Sequence, residues 1–399
     1  SAAMGFFKYS WLDFLFTCLG LLVLLVDIVL DTLAIVTFYQ EKAYMGLGLL
    51  LIFLLGSSFI VQVYSWLWYS DGSFKRETLV ERCFSLKQLK LLHVLQLGIY
   101  FRLCESADFM LYLTKQNDSH TDFAVFLSHD LSLLRLIETF TESCPQLVLM
   151  VTIMLRRGQL SPAFGSAAAI GVSVTMYHRS LRSFVLNKKQ QNIASSVVYF
   201  AWNMFLVSSR LAALALFASV MPCFVFTHFF CSWLLLFFFV WRSKTDFMES
   251  PGGEWLYRAT VGLIWYFNWF NVAEGRTKFR ALLYHGYILG DVCLLCSLWC
   301  WKMISTECPY FEISQLHAII TAVGVVAVNV TGLFLKILYY NCFHPNLTKE
   351  ELIGEMDVKS PTGQGSAGVM DIDSNRIDSG PSPKHCNKRM RKLAENFYS

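Results

Sequence analysis

Three aspartates interrupt the first long apolar stretch of the chain. Trp11 to Tyr39 reads as one helix, and Asp13, Asp27 and Asp31 lie within it. Asp27 and Asp31 are one turn apart, and Asp13 precedes Asp27 by close to four full turns, so all three carboxylates fall near one face. A second set stands in Leu133-Leu134-Arg135-Leu136-Ile137-Glu138-Thr139-Phe140-Thr141-Glu142-Ser143-Cys144-Pro145-Gln146, where Arg135, Glu138 and Glu142 share a helical face at i, i+3 and i+7. Arg102, Arg179, Arg182, Arg210 and Asp291 also stand in apolar surroundings. A carboxylate at a bilayer centre costs about 2.5–3.5 kcal/mol on insertion scales, so a chain that meets this cost repeatedly uses the charges. One use is structural, as ion pairs that fix helix packing. The other is a hydrophilic track offered to ions or to lipid headgroups, with acyl chains left in lipid. Charges at several depths on five or six helices favour the track.

Covalent chemistry has no comparable signature. No HExxH, GxSxG, P-loop or GxGxxG pattern occurs, so no enzyme activity, cofactor or metal is expected. Among nine histidines, His178 beside Arg179 is the one read into the charged set. Cys104, Cys144, Cys223, Cys231, Cys293, Cys296 and Cys300 are dispersed through apolar runs and read as packing residues, with a Cys300–Cys308 pair a less favoured alternative. No nucleic-acid partner is expected.

The elements that must position these charges are membrane helices. The chain is 55% hydrophobic and 16% charged, with mean hydropathy +0.46; a soluble domain carries about 25% charged residues. Apolar runs long enough to cross about 30 Å of hydrocarbon recur near 11–39, 44–69, 123–156, 162–184, 194–220, 222–241, 280–304 and 314–342. Alternating ten-residue segments of a β-barrel are absent from the pattern. Two further segments, near 86–114 and 254–274, are apolar but broken. Basic residues cluster at 75–90, at Lys188-Lys189, at Arg242 and Lys244, at Arg276, Lys278 and Arg280, and in the tail. If the broken segments enter and return on one side, all these clusters face the cytosol. Arg156-Arg157 then lies outside, against the charge rule. The first span is expected to act as its own signal anchor.

The predicted fold is therefore an all-α polytopic membrane protein with about eight transmembrane helices plus two half-entering helices, and with both termini cytosolic. It falls into two pseudo-symmetric halves of parallel orientation: an N-terminal transmembrane repeat over 1–184, a C-terminal one over 185–345, and a cytosolic regulatory tail over 346–399. The letters support the repeat little, since Ala107-Asp108-Phe109-Met110 and Thr245-Asp246-Phe247-Met248 sit differently in their elements. Pro145 should kink its helix in mid-membrane. The sequons at Asn117, Asn329 and Asn346 fall in places where no glycan is expected. Trp265-Tyr266-Phe267-Asn268-Trp269-Phe270 reads as a lipid-facing or interfacial surface.

Several long motifs carry a resemblance. Thr245 to Met248, Glu254-Trp255-Leu256-Tyr257-Arg258 and Trp269-Phe270-Asn271-Val272-Ala273-Glu274-Gly275-Arg276-Thr277 closely resemble the XK-related family, as do Leu133 to Gln146, Tyr177-His178-Arg179-Ser180-Leu181-Arg182, and Tyr339-Tyr340 through His344-Pro345. The likeness runs from about Asp13 to Arg391 and points to the branch whose members become phospholipid scramblases in apoptosis. It implies an ATP-independent, bidirectional scramblase of the plasma membrane that exposes phosphatidylserine, with a single-span immunoglobulin-superfamily chaperone of the basigin or neuroplastin type. Its headgroup track maps onto Asp13, Asp27, Asp31, Arg102, Glu138, Glu142, Arg179, Arg210 and Asp291, with Arg135 on the same face as Glu138 and Glu142. Two departures stand out: Met176 replaces an expected acid, and Gly46 and Val172 stand where the resemblance expects gate tryptophans. An ion or solute channel or transporter, and a structural partner of another membrane protein, remain alternatives.

The tail completes the expectation. Residues 357–385 are rich in Gly, Ser, Pro and Asp, the composition of an extended protease substrate. Executioner caspases cut after Asp before a small residue, and Asp373-Ser374 and Asp378-Ser379 qualify, although Met370 and Asn375 stand where a fourth-position Asp would be. The segment beyond is basic and amphipathic. Lys388, Arg389, Arg391, Lys392 and Phe397 suit either an inhibitory plug on the cytosolic face or a lipid-surface anchor.

Overall fold

In hydrocarbon every backbone N–H and C=O needs a partner within its own segment, so each long apolar run closes into one helix. The computed structural model describes residues 11–70, 85–99, 101–102, 121–157, 174–175, 193–243, 245–248, 250–272, 277–305 and 315–343, with the backbone path alone in 11–21, 23–25, 70, 86, 121–129, 157, 193, 277–278 and 343. Its elements are α1 Trp11–Gln40, α2 Tyr44–Ser70, α3 Leu86–Val94, α4 Thr121–Glu138, a π-helical turn Thr139–Ser143, α5 Cys144–Arg157, α6 Ile193–Val220, α7 Pro222–Arg242, α8 Pro251–Phe267, α9 Thr277–Ser305, α10 Gln315–Leu338 and a second π-helical turn Tyr339–Phe343. Among the described residues five helical stretches are long and apolar enough to cross a membrane: 44–69, 194–220, 222–242, 279–305 and 315–342. The protein is an all-α, polytopic membrane protein. The expected span at 162–184 and residues 103–114 of the first broken segment lie outside the described residues, apart from a helical pair at 174–175.

The kink expected at Pro145 is a π-helical turn. Proline offers no N–H to the carbonyl of Thr141 and crowds it. The chain widens one turn earlier, where the Cys144 N–H reaches back five residues to the Thr139 carbonyl. Helix then continues to Arg157. Arg156, unexplained by charge asymmetry, donates through Nε to the Ser219 carbonyl at 3.1 Å and so caps the end of α6.

The two broken segments fold alike. Ser85 and Gln88 form a capping box that starts α3. The segment runs antiparallel to α2: His93 sits 5.4 Å from the Tyr69 ring and 2.8 Å from Ser65 Oγ, and the Gln96 carbonyl accepts from Gln62 Nε2 at 2.8 Å. Gln96 also meets Ser58. At Gln96 φ is 63°, the left-handed conformation of a tight reversal, and Arg102 is back at Ser65 and Tyr69. The reversal lies about 16 Å along α2 from Tyr69.

The second segment repeats this against α7. Ser250 caps α8 by accepting from Gly253 N, and Pro251 takes the first helical position. Glu254 gathers the N–H groups of Phe247 and Met248 at 2.9 and 2.8 Å. Trp255 packs on Trp241, Ala259 accepts from Trp233 Nε1, and Tyr266 meets Phe229, so α8 starts at the basic end of α7 and stops beside its middle. The chain then turns back in extended form, with Trp269 stacked on Trp265 and against Tyr284 of α9. Both half-entering elements are therefore present. The aromatic run 265–270, expected to face lipid, is instead core: all but the half-buried Trp269 are buried. An aromatic run reads alike for lipid and protein interior, and the reversal turns this one inward.

The core centres on α6, which packs on α5, α7, α9 and α10. This helix meets α10 tightly at Gly332, where a Cβ would meet Leu206 Cγ at 2.9 Å and the Leu206 backbone N at 3.1 Å. Small residues permit such approach where no hydrophobic effect drives helices together. Asn329, one of the sequons, is buried here and donates to Ser209 Oγ at 2.8 Å. Overpacking costs about 1–3 kcal/mol. Gly332→Ala should therefore lower the thermal midpoint of detergent-purified protein by several degrees. Gly324→Ala on the same helix, where a Cβ meets nothing within 4 Å, should leave it unchanged in the same scanning-fluorimetry experiment.

Candidate functional site

Among the described residues the intramembrane acids and arginines fall into three groups with different balance. The first lies between α1 and the π-helical turn. Asp27, Asp31 and Glu142 bring carboxylate oxygens within 4.8 Å of one another. Glu142 is only 7% exposed, whereas Asp27 and Asp31 are half-buried on a helix whose neighbouring Val26, Val29, Leu30 and Leu33 face outward. The widened turn aims Glu142 at α1, because the extra residue per turn rotates this side chain relative to a straight helix. Gln146, one turn on, donates to Asp31 Oδ1 at 2.6 Å. Arg135 pairs with Glu138 at 2.5 Å along its own helix, and its Nη2 is buried without a hydrogen-bond partner among the described residues. Of the two partners expected for this face, Arg179 lies outside the described residues, and the contact with Asp31 is acid to acid, while Arg135 answers Glu138. Such an oxygen set suits a hard cation or an ammonium group.

The second group closes the first half-entering element. Arg102, 1% exposed, pairs with Asp130 at 3.1 Å, donates from Nε to Ser65 Oγ at 2.9 Å, and lies 4.1 Å from the Tyr69 ring centre. His93 bonds the same Ser65. The third closes the second element. Arg210, fully buried, pairs with Asp291, donates from Nε to the Tyr266 carbonyl at 3.1 Å, and lies 4.9 Å from the Tyr266 ring. His228 bridges Asp291 Oδ1 and the Tyr266 hydroxyl, both at 3.0 Å.

The structure thus brings together Asp27, Asp31 and Glu142, sets Arg135 and Glu138 beside them, and places Arg210 with Asp291. Arg102 stands apart with Asp130. The side chain of Asp13, and Arg179, Arg182, His178, Met176, Val172, Asp373, Asp378 and the basic tail, lie outside the described residues. At Gly46 a Cβ would face Ile153 Cδ1 at 3.4 Å and Phe38 at 3.7 Å, so packing fills the place of an expected gate tryptophan. The cysteines of α5, α7 and α9 are free. The reading that only His178 joins the charged set is corrected: His93 and His228 do so, and His285 contacts the buried Lys336 at 2.6 Å. Asp130 and Lys336 were also missed. Asp130 stands at the polar start of its run and off the face that Arg135 shares with Glu138 and Glu142, so neither it nor the lone histidines carried a signal.

With this geometry in view, comparison with known proteins is direct. The family model of the XK-related proteins matches residues 15–345. XK-related protein 8 of Tetraodon nigroviridis is 39% identical over 98% of this chain and 98% of its own. The protein of that name from Gasterosteus aculeatus is 39% identical over 99% and 98%, and that of Pan troglodytes 34% identical over 97% and 94%. The chain belongs to the XK-related family.

A buried charge left alone costs about 3–5 kcal/mol, whereas replacing the whole pair by apolar residues is often neutral. Asp291→Leu should therefore sharply reduce the monodisperse fraction on fluorescence-detected size exclusion. Arg210→Met with Asp291→Leu should recover much of it, to a level set by the His228 and Tyr266 carbonyl contacts that are also lost.

Proposed function

We propose that the chain is an ATP-independent phospholipid scramblase that exposes phosphatidylserine at the surface of the plasma membrane. In this reading it is not an enzyme: no bond is made or broken, and the work lies in lowering the cost of moving a charged headgroup through hydrocarbon. One observation carries the proposal. The carboxylates of Asp27, Asp31 and Glu142 converge at a helix whose flanks face outward, so a polar site opens sideways to lipid. An ammonium headgroup would meet the carboxylates there. The lipid phosphate would meet Arg135, whose Nη2 has a donor to spare. The acyl chains would stay along Val26, Val29 and Leu33. Asp13 and Arg179 would extend the path toward the two surfaces. Arg102 and the Arg210–Asp291 pair, being buried and balanced, would hold its walls.

Regulation belongs to the same proposal. Caspase cleavage after Asp373 or Asp378 would remove the segment with Lys388, Arg389, Arg391, Lys392 and Phe397. A plug held by about 3 kcal/mol would shift a closed–open equilibrium more than a hundredfold on release. A single-span immunoglobulin-superfamily chaperone of the basigin or neuroplastin type would accompany the chain, with both termini in the cytosol.

A cation pathway is the second reading, favoured by the same three oxygens. Liposomes carrying fluorescent lipid, an impermeant quencher and an entrapped cation indicator separate the two. Glu142→Gln should lower lipid scrambling about tenfold, the effect of losing one contact worth 1.4 kcal/mol, without loss of folded yield, since Arg135 keeps Glu138. Wild-type rates in that variant, or cation flux without lipid flux in the parent, would overturn the scramblase reading. Truncation before Ser374 should raise scrambling in the same liposomes. Asp373→Ala with Asp378→Ala should block activation by executioner caspase; activation with the tail intact would remove cleavage as the switch.

A further inference from the structure

Where α8 turns back it leaves a groove between the C-terminal end of α7 and the first part of α9. The groove holds a cavity of 520 Å³, within the range of drug-sized ligand sites, so it has room for a headgroup and part of one acyl chain while the rest of a lipid stays in the bilayer. Trp269 and Tyr284 form part of its floor, and the outward-facing Phe239 and Leu283 its walls. Arg242 and Arg280, both exposed, stand on its rim, and no acidic side chain lines it among the described residues. The rim coincides with two of the basic clusters that the charge rule assigns to the cytosolic side.

We infer that this groove binds one anionic phospholipid of the cytosolic leaflet, its phosphate between Arg242 and Arg280 and one acyl chain along Phe239 and Leu283. Three features select this occupant. The walls face the lipid phase, which supplies the acyl chain without exposing it to water. Two guanidinium groups on a rim with no carboxylate lining it among the described residues favour a net anion, because a zwitterion would leave its ammonium against like charge. The same charge disfavours the basic tail, whose Lys388, Arg389, Arg391 and Lys392 would face the two arginines. The site is chemically the reverse of the carboxylate cluster at α1, and it stands whether or not the chain scrambles lipid.

The test is photolabelling of the full chain in nanodiscs with phosphatidylserine or phosphatidylcholine that bears a diazirine in one acyl chain, mapped by mass spectrometry. Labelling of residues 235–243 and 280–287 should be selective for phosphatidylserine and competed by unlabelled phosphatidylserine. Arg242→Gln with Arg280→Gln should reduce it roughly 30-fold, two surface guanidinium groups each contributing about fivefold. Equal labelling by both lipids, or labelling unchanged in the double variant of correctly folded protein, would overturn the site. Labelling that emerges only after truncation before Ser374 would make the tail the occupant of the intact chain and equally overturn it.

Discussion

A helix that ends inside a membrane leaves carbonyls with nowhere to go, and the way α8 ends organises half of this protein. Its last turn is resolved by three donors from three directions. Asn268 N returns to Ile264 at 2.7 Å, the Tyr284 hydroxyl reaches Trp265 at 2.6 Å, and Arg210 reaches Tyr266. A cation at a helix C-terminus also answers the negative end of the dipole. But Arg210 is itself fully buried, so it requires a counter-charge. Asp291 supplies it from α9, and His228 from α7 holds Asp291 in turn. One unmet backbone need thus commits α6, α7, α8 and α9 to a single arrangement. The second amide of that corner, Asn268 Nδ2, closes on Asn203 of α6 at 2.9 Å.

The first half meets the same need with other letters. Its reversal at Gln96 takes side-chain donors from α2, namely Gln62 and Ser58, and its arginine comes from the returning arm rather than from a neighbouring span. Asp130 on α4 and Asp291 on α9 are counter-charges to arginines at unrelated sequence positions. Both elements share a reversal beside one span and a buried arginine–acid pair, at the corner itself in the second and back near Ser65 in the first, and not a motif. The two half-entering elements thus match in form without matching in letters.

What could be read from residues alone follows the same division. Spans were legible within a few residues, because hydrophobic length is a one-dimensional quantity: α1, α2, α6, α7, α9 and α10 begin and end close to where apolar runs do. Pro145 announced a break, though not that a π-helical turn would absorb it. Pairing was less legible. His93, His228 and His285 stand singly in apolar runs, where imidazole reads as packing until a partner from another helix is placed beside it. Asp130 stands at the polar start of its run, in Ser128-His129-Asp130, and so reads as boundary rather than core. The aromatic run at 265–270 misled for a general reason: transfer from water favours lipid and protein interior alike, and only the reversal decides between them.

Balance and exposure together separate charges that hold a membrane protein from charges that act in it. A structural ion must be neutralised, because its desolvation is met once and permanently. Arg102 and Arg210 satisfy this, each with an acid, an aromatic face and a backbone or hydroxyl acceptor. A site for a passing charged group must do the opposite, keeping an imbalance that the visitor corrects and an edge through which it enters. Asp27, Asp31 and Glu142 have both properties: acidic groups close together, beside an arginine already engaged with Glu138, at the border of a helix with lipid-facing flanks. The π-helical turn ties the two classes together. It lies between the engaged Arg135–Glu138 pair and Gln146, and Phe140 from this same turn stacks on Phe267 at the end of α8 with ring centres 6.3 Å apart. The acidic edge is thereby braced against the corner that Arg210 closes, so a change in either should be felt at the other.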